Sequence, residues 1–228
     1  MQREQATPKF ESIAINDVDP AVRGFLHRSQ GASRTGLVLT HGAGGNARNA
    51  LLEAVATVFA QAGVAVLRYD LPFRQARSFG PPRPGEAARD RLGLTNASKY
   101  MRNIAPGRVF LGGQSYGGRQ ASMLCAEEPE IADGLLLLSY PLHAPGRPDQ
   151  PRTQHLPKLQ IPVLFVHGTK DPFGSIAELE SAVKLIPGPV KLLPVEGAGH
   201  DLGFKGKKVN QELPARVVEE FGRMMLPK

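Results

Sequence analysis

The chain has 228 residues, 41% of hydrophobic type, with 25 glycines, 20 prolines, no tryptophan, one cysteine and a formal net charge of +7. That length suits a single domain with a two-sided core, and no run approaches the ~20 apolar residues of a membrane span. The lone Cys125 excludes an internal disulfide, and the polar start at residues 1–5 lacks the apolar core of a signal peptide. The expected setting is therefore soluble, reducing and cytoplasmic.

Along the chain, residues 12–15 and 23–27 alternate in polarity and read as an exposed hairpin, adding antiparallel edge strands within the first 30 residues. Near-continuous apolar runs follow at 36–40, 64–69, 109–112, 134–139, 163–167 and 190–195. Such runs suit strands buried on both faces of a parallel sheet. Between them, helices are predicted over 47–62, 86–104, 116–128, 175–186 and 214–225, with Asn46 available to cap the first and Gly63 to stop it. The alternation predicts a doubly wound, mostly parallel α/β sheet with helices on both faces. Ligands in such a sheet bind beyond the carboxyl ends of the strands. No repeat or low-complexity segment interrupts the pattern.

The most informative stretch is Gly112-Gly113-Gln114-Ser115-Tyr116-Gly117-Gly118, directly after the strand run Arg108-Val109-Phe110-Leu111. It is a G-x-S-x-G turn between strand and helix, where glycines permit a sharp bend and the serine is held exposed. A serine hydroxyl needs a partner to take its proton. Asp171 lies just past the 163–167 strand and His200 just past the 190–195 strand. The order Ser115, Asp171, His200 matches a nucleophile, acid, base arrangement at three strand ends. His27 and His41 precede the serine, His143 and His155 precede the acid, and His167 sits within a strand end. Asp201 adjoins His200, but adjacent loop side chains rarely face each other. Asp70 is read as ordering its own turn, and Ser139 and Ser175 as ordinary polar residues.

An anion-stabilising loop is expected at His41-Gly42-Ala43-Gly44-Gly45-Asn46, after the 36–40 strand. Its Ala43 N–H and the Tyr116 N–H are the expected oxyanion donors. The glycines are not followed by Lys-Ser/Thr and lack a third spaced glycine, so neither a Walker loop nor a dinucleotide fingerprint fits. No His/Cys/Asp/Glu group has metal spacing, and no cofactor is implied. His41, Gly42, Gly44, Phe73, Arg74, His143 and Phe173 are candidate substrate contacts. Arg74, Arg77 and Arg147 are candidates for favouring carboxylate-bearing substrates. The arginines are otherwise scattered, without an RNA-binding aromatic motif or zinc-finger spacing, so a solvated basic surface is expected and no nucleic-acid partner. Cys125 reads as an inert core residue.

Taken together, the segments 139–148, 155–157 and Pro162-Val163-Leu164-Phe165-Val166-His167-Gly168-Thr169-Lys170-Asp171-Pro172-Phe173-Gly174 resemble a branch of the α/β-hydrolases. It is a small hydrolase-like family whose domain is shared with a testis-expressed protein and a subunit of the nonspecific-lethal histone acetyltransferase complex. The 41–45 loop and Leu71-Pro72-Phe73-Arg74 fit the same pattern, and the resemblance spans roughly residues 35–205. It implies an α/β-hydrolase fold with Ser115, Asp171 and His200 as the triad, and the loops at 73–91 and 143–155 are too short for a large cap. The nucleophile is serine, not aspartate or cysteine, which argues against the dehalogenase and dienelactone chemistries of this fold. The expected activity is hydrolysis of small acyl esters in an open pocket rimmed by residues 73–91 and 143–155. A silent interaction module, an acyltransferase and a peptidase remain alternatives.

Overall fold

The computed structural model describes residues 10–205 and 209–226; residues 1–5 lie outside that range. Its frame is an eight-stranded sheet: β1 (Phe10–Ile15), β2 (Val22–His27), β3 (Thr35–Thr40), β4 (Ala65–Tyr69), β5 (Arg108–Gln114), β6 (Leu135–Leu138), β7 (Val163–Gly168) and β8 (Val190–Val195). The spatial order is β1-β2-β4-β3-β5-β6-β7-β8. The first two strands are the expected antiparallel edge, and every pair from β4 to β8 is parallel.

Strand alternation divides the core into two layers. Val38, Leu111, Leu135, Leu137 and Phe165 face one side with Leu94, Met101 and Leu124. These helical residues belong to α3 (Ala87–Ile104) and α4 (Tyr116–Glu127); α5 (Ile176–Val183) adds Leu179. Leu37, Leu39, Leu136, Leu138 and Val166 face the other side with Leu51, Leu52, Val55, Val217 and Phe221. Those come from α1 (Ala50–Gln61) and α6 (Leu213–Met225). Both faces are thus closed, which is why the strand sequences run apolar without interruption. Cys125 is buried and free, and burial pushes its thiol pKa up.

Two elements differ from expectation. The first helix begins at Ala50, not 47. Asn46 instead closes a turn by accepting from the Arg48 N–H (2.9 Å), while Asn49 caps the helix by accepting from Leu51 N–H (2.9 Å). A short helix, α2 (Pro72–Ala76), fills the loop after β4.

Successive crossovers leave β3 in opposite directions: β4 flanks it on one side and β5 on the other. That reversal opens a crevice at the carboxyl ends of β3 and β5. The turn from β5 into α4 crosses there without room for side chains. A Cβ on Gly117 would stand 2.5 Å from the His41 carbonyl oxygen, and one on Gly113 would stand 2.6 Å from that of Thr40. Gly117→Ala is therefore expected to cost about 2–3 kcal/mol through backbone displacement. Gly222→Ala, where nothing lies within 4 Å of the new carbon, should be neutral or slightly stabilising on a helix. Equilibrium urea unfolding of both variants checks the contrast.

Two imidazoles, His27 buried and His155 half-buried, link stability to pH. Burial first, and the Arg68 guanidinium second, lower the His27 pKa from 6.5 to about 4; its Nε2 accepts from Arg68 Nε (2.9 Å). Burial, then Arg119, bring His155 to about 4 as well, beside the Ser122 hydroxyl (2.8 Å). Both rings fold neutral, whereas the unfolded chain takes up protons below about pH 6.5. Their contribution is complete above that value and is lost as pH falls toward 4. The urea midpoint should drop across this window, and His27→Gln and His155→Gln should each flatten the drop.

Candidate active site

Ser115 stands between β5 and α4 at φ 52° and ψ −117°, a left-handed conformation that costs a non-glycine residue of order 1–3 kcal/mol. Its N–H donates to the Leu138 carbonyl (2.8 Å), and its carbonyl accepts from the Arg119 N–H (3.0 Å). The backbone is therefore held on both sides of the bend, and the hydroxyl projects into the crevice. Ser115 Oγ lies 2.8 Å from His200 Nε2. On the far side of the ring, His200 Nδ1 lies 2.7 Å from Asp171 Oδ2. A carboxylate only accepts, so Nδ1 carries the proton and Nε2 is left to accept from the serine.

Asp171 sits after β7 and is buried; its Oδ1 accepts from the Phe173 N–H (2.9 Å). His167 Nε2 approaches Asp171 Oδ2 at 3.7 Å but donates to the Gly174 carbonyl at 2.8 Å. Burial holds its pKa down, so it adds no cation to the site. His200 follows β8 and is covered by the Phe173 ring at a centroid distance of 4.2 Å. Gln114, immediately before the serine, donates to the His200 carbonyl (3.2 Å) and accepts from Asn49 Nδ2 (3.0 Å). It ties the His200 backbone to the start of α1. Asp201, as expected, faces away: its carboxylate accepts from the Gly203 and Lys205 N–H groups.

The glycine loop after β3 is aimed from behind. The Gly42 carbonyl accepts from the Gly45 N–H (3.0 Å) and from His41 Nδ1 (2.9 Å). His41 Nε2 in turn accepts from the Leu71 N–H (3.2 Å). Burial lowers the His41 pKa, consistent with a neutral ring in this one tautomer. A trans peptide points its N–H opposite its carbonyl. Fixing the Gly42 carbonyl therefore turns the Ala43 N–H the other way, and that N–H makes no hydrogen bond among the described residues. The Ser115 carbonyl similarly sets the direction of the Tyr116 N–H. The Tyr116 side chain is anchored to Asp90 Oδ2 (2.7 Å), whose Oδ1 holds the Phe73 N–H (3.1 Å). Burial raises the Asp90 pKa despite these bonds.

A cleft of roughly 450 Å³ joins these groups, lined by the 42–46 loop, Arg48, Asn49, Gln114, Ser115, Phe173, His200 and Lys205. Gly42, Gly44 and Phe173 thus stand where the sequence places substrate contacts. His41, Phe73, Arg74 and His143 do not. His41 and Phe73 are buried behind the loop, edge to face at 5.5 Å. Arg74 is buried too, and its guanidinium donates to the carbonyls of Gly45 (2.8 Å), Ala43 (3.1 Å), Gly80 (2.8 Å) and Arg77 (3.3 Å). Arg77 is held by Glu86 at 2.6 Å. Neither arginine is free for a ligand, and Arg147 is exposed outside the cleft. His143 lines a separate groove with Leu142, Pro148, Pro151 and α5, so the 143–155 loop does not rim this cleft, nor do residues 73–91. Asp70 orders its surroundings as expected by accepting from the Ala47 N–H (2.7 Å). Asn49, Gln114, Arg48 and Lys205 are the cleft residues that sequence reasoning missed. Among the described residues no group of His, Cys, Asp and Glu could hold a metal ion, and no helix is long and apolar enough to cross a membrane.

Among solved structures, the chain is similar to dienelactone hydrolase from Anabaena variabilis, at 22% identity over 96% of this chain and 100% of that one, with a TM-score of 0.74. It is similar to Est1E from Butyrivibrio proteoclasticus with ferulic acid bound, at 18% identity over 95% and 100%, TM-score 0.75. A lidless serine α/β-hydrolase from Xanthomonas campestris aligns at 15% identity over 96% and 97%, TM-score 0.71. These likenesses are of fold, and among the described residues there is likewise no large cap. Residues 33–223 match the alpha/beta hydrolase domain family. The chain belongs to that family.

Proposed function

We propose that this protein is a serine hydrolase acting on short acyl esters, with residues 1–228 working as one domain. The observation that carries the reading is the continuous chain from Ser115 Oγ to His200 (2.8 Å) to Asp171 (2.7 Å) at the mouth of an open cleft. Ser115 attacks the ester carbonyl as His200 Nε2 takes its proton. Asp171 keeps the imidazole in the required tautomer and offsets the imidazolium charge. Negative charge then grows on the carbonyl oxygen, where the Ala43 and Tyr116 N–H groups meet it. His200 returns the proton to the leaving alcohol. It next removes one from water, whose attack on the acyl-enzyme releases the acid and frees Ser115. The strained turn, the neutral His41 and the Arg74 clamp support the reading, because they fix donors before charge develops.

Ser115→Ala is expected to abolish covalent labelling by a fluorophosphonate probe and turnover of 4-nitrophenyl acetate. Labelling that persists in this variant would remove Ser115 from its role. Asp171→Asn should retain the fold and lower kcat by about three to four orders of magnitude, because the ring then favours the wrong tautomer.

Arg74→Lys tests the loop clamp. An ammonium cannot span four carbonyls as a planar guanidinium does. The expected result is a fall in kcat of about tenfold or more with KM little changed, since the oxyanion donors act mainly in the transition state. A change confined to KM would instead assign Arg74 to substrate binding.

A further inference from the structure

The charges lining the cleft are of one sign. Apart from His200, its ionisable side chains among the described residues are Arg48 and Lys205, and no described carboxylate lines it. The acids nearby are committed elsewhere: Asp171 to His200, Asp201 to backbone N–H groups, and Glu53 to Arg68 at 3.0 Å. Arg48 makes no ion pair among the described residues; its guanidinium lies 4.6 Å over the Phe25 ring. Lys205 likewise has no ion-pair partner among them. Most other arginines near this end of the sheet are neutralised or tied down, as Arg68, Arg74 and Arg77 show. α1 and α4 also begin beside this cleft, at Ala50 and Tyr116, with their positive dipole ends toward it. A concave, partly apolar wall concentrates such a field.

We propose that the substrate is an ester bearing a carboxylate a few bonds from the scissile carbonyl, held at the rim by Arg48 and Lys205. The proposal rests on the Ser115 hydrolase reading and adds the substrate class to it. Arg48 precedes the α1 cap and Lys205 lies in the segment after His200, and both line the cleft. The anion docks between them while the carbonyl reaches the serine. Phe173 supplies the apolar wall along which the intervening carbons lie.

Two matched ester pairs test the idea and locate the charge. Mono-4-nitrophenyl adipate against 4-nitrophenyl hexanoate places it in the acyl part. 4-Acetoxybenzoate against 4-acetoxybenzamide places it in the alcohol part. At low salt, kcat/KM should favour the anionic member of at least one pair by about fivefold or more, the scale expected of two partly solvated ion pairs. Added salt should erode that preference, and the double substitution Arg48→Gln/Lys205→Gln should bring it close to parity. Lys184→Gln, an exposed cation on another face, should leave it in place. Parity in both pairs, or a preference that survives the double substitution, overturns the proposal. A binding measurement separates it from the hydrolase reading. By NMR titration, Ser115→Ala should bind adipate more tightly than hexanoate, and the difference should vanish in Ser115→Ala/Arg48→Gln/Lys205→Gln. Equal binding of the two acids, together with 4-hydroxybenzoate binding no more tightly than 4-hydroxybenzamide, overturns the substrate class. Wild-type failure to cleave any ester while adipate still binds preferentially counts against the hydrolysis alone.

Discussion

The architecture of this protein turns on how closely two backbones approach where β5 bends into α4 beneath the end of β3. Gly113 and Gly117 touch the carbonyls of Thr40 and His41 at distances that no Cβ could share. Across that contact the chain turns through a left-handed conformation at Ser115, midway between the two glycines. The strain is of order 1–3 kcal/mol, small against the burial of the β3 and β5 side chains on two core layers. It persists because the sheet over-determines it. The same contact brings the loop after β3 within reach of the serine: a Cβ on Gly42 would sit 3.4 Å from that of Ser115. The strained Ser115 turn and the loop after β3 beside it are thus two consequences of one packing arrangement.

Around that contact, buried polar groups serve to aim backbone dipoles. His41, Arg74, Asp90 and Gln114 are all nearly inaccessible to solvent, and leaving any of them unpaired would be expensive. Each is instead bonded to main chain or to a neighbour that touches main chain. Arg74 gathers four carbonyls, His41 bridges Leu71 and Gly42, Asp90 joins Phe73 to Tyr116, and Gln114 joins Asn49 to His200. Because these bonds are made in the resting protein, little reorganisation is needed when charge appears on a bound carbonyl.

The sheet was readable in advance because double burial writes itself as uninterrupted apolar runs, as at Leu135–Leu138. The meeting of Ser115, Asp171 and His200 was readable because the topology dictates their chain order. Roles set by side-chain direction were harder. Arg74 and Arg48 look alike in a sequence; one is buried under the loop and the other stands at the cleft, and only packing distinguishes them. His143 follows a strand end as His200 does, but its hydrogen bond to Phe173 across the loop turns it toward α5. The α2 turn was hidden by its brevity, and the first helix starts late because Asn49 competes with Asn46 for the cap. A local asparagine signal marks a turn without saying which of two asparagines closes it. Lys205 carries no motif at all.

In the proposed reaction, the cations at the mouth and the dipoles at its base act on different stages of the same event. A carboxylate held by Arg48 and Lys205 bears its full charge before, during and after attack on the carbonyl. The attraction is therefore nearly equal in ground state and transition state, and it lowers KM without accelerating the chemical step. As proposed oxyanion donors, the Ala43 and Tyr116 N–H groups would face an oxygen that is only partly negative in the substrate and fully so in the tetrahedral intermediate. Their contribution grows along the reaction and appears in kcat. The fold accordingly separates the two tasks in space. The groups that must discriminate between states are backbone, rigid and locked by buried partners. Those that only need to collect an anion are long, solvent-exposed side chains at the rim.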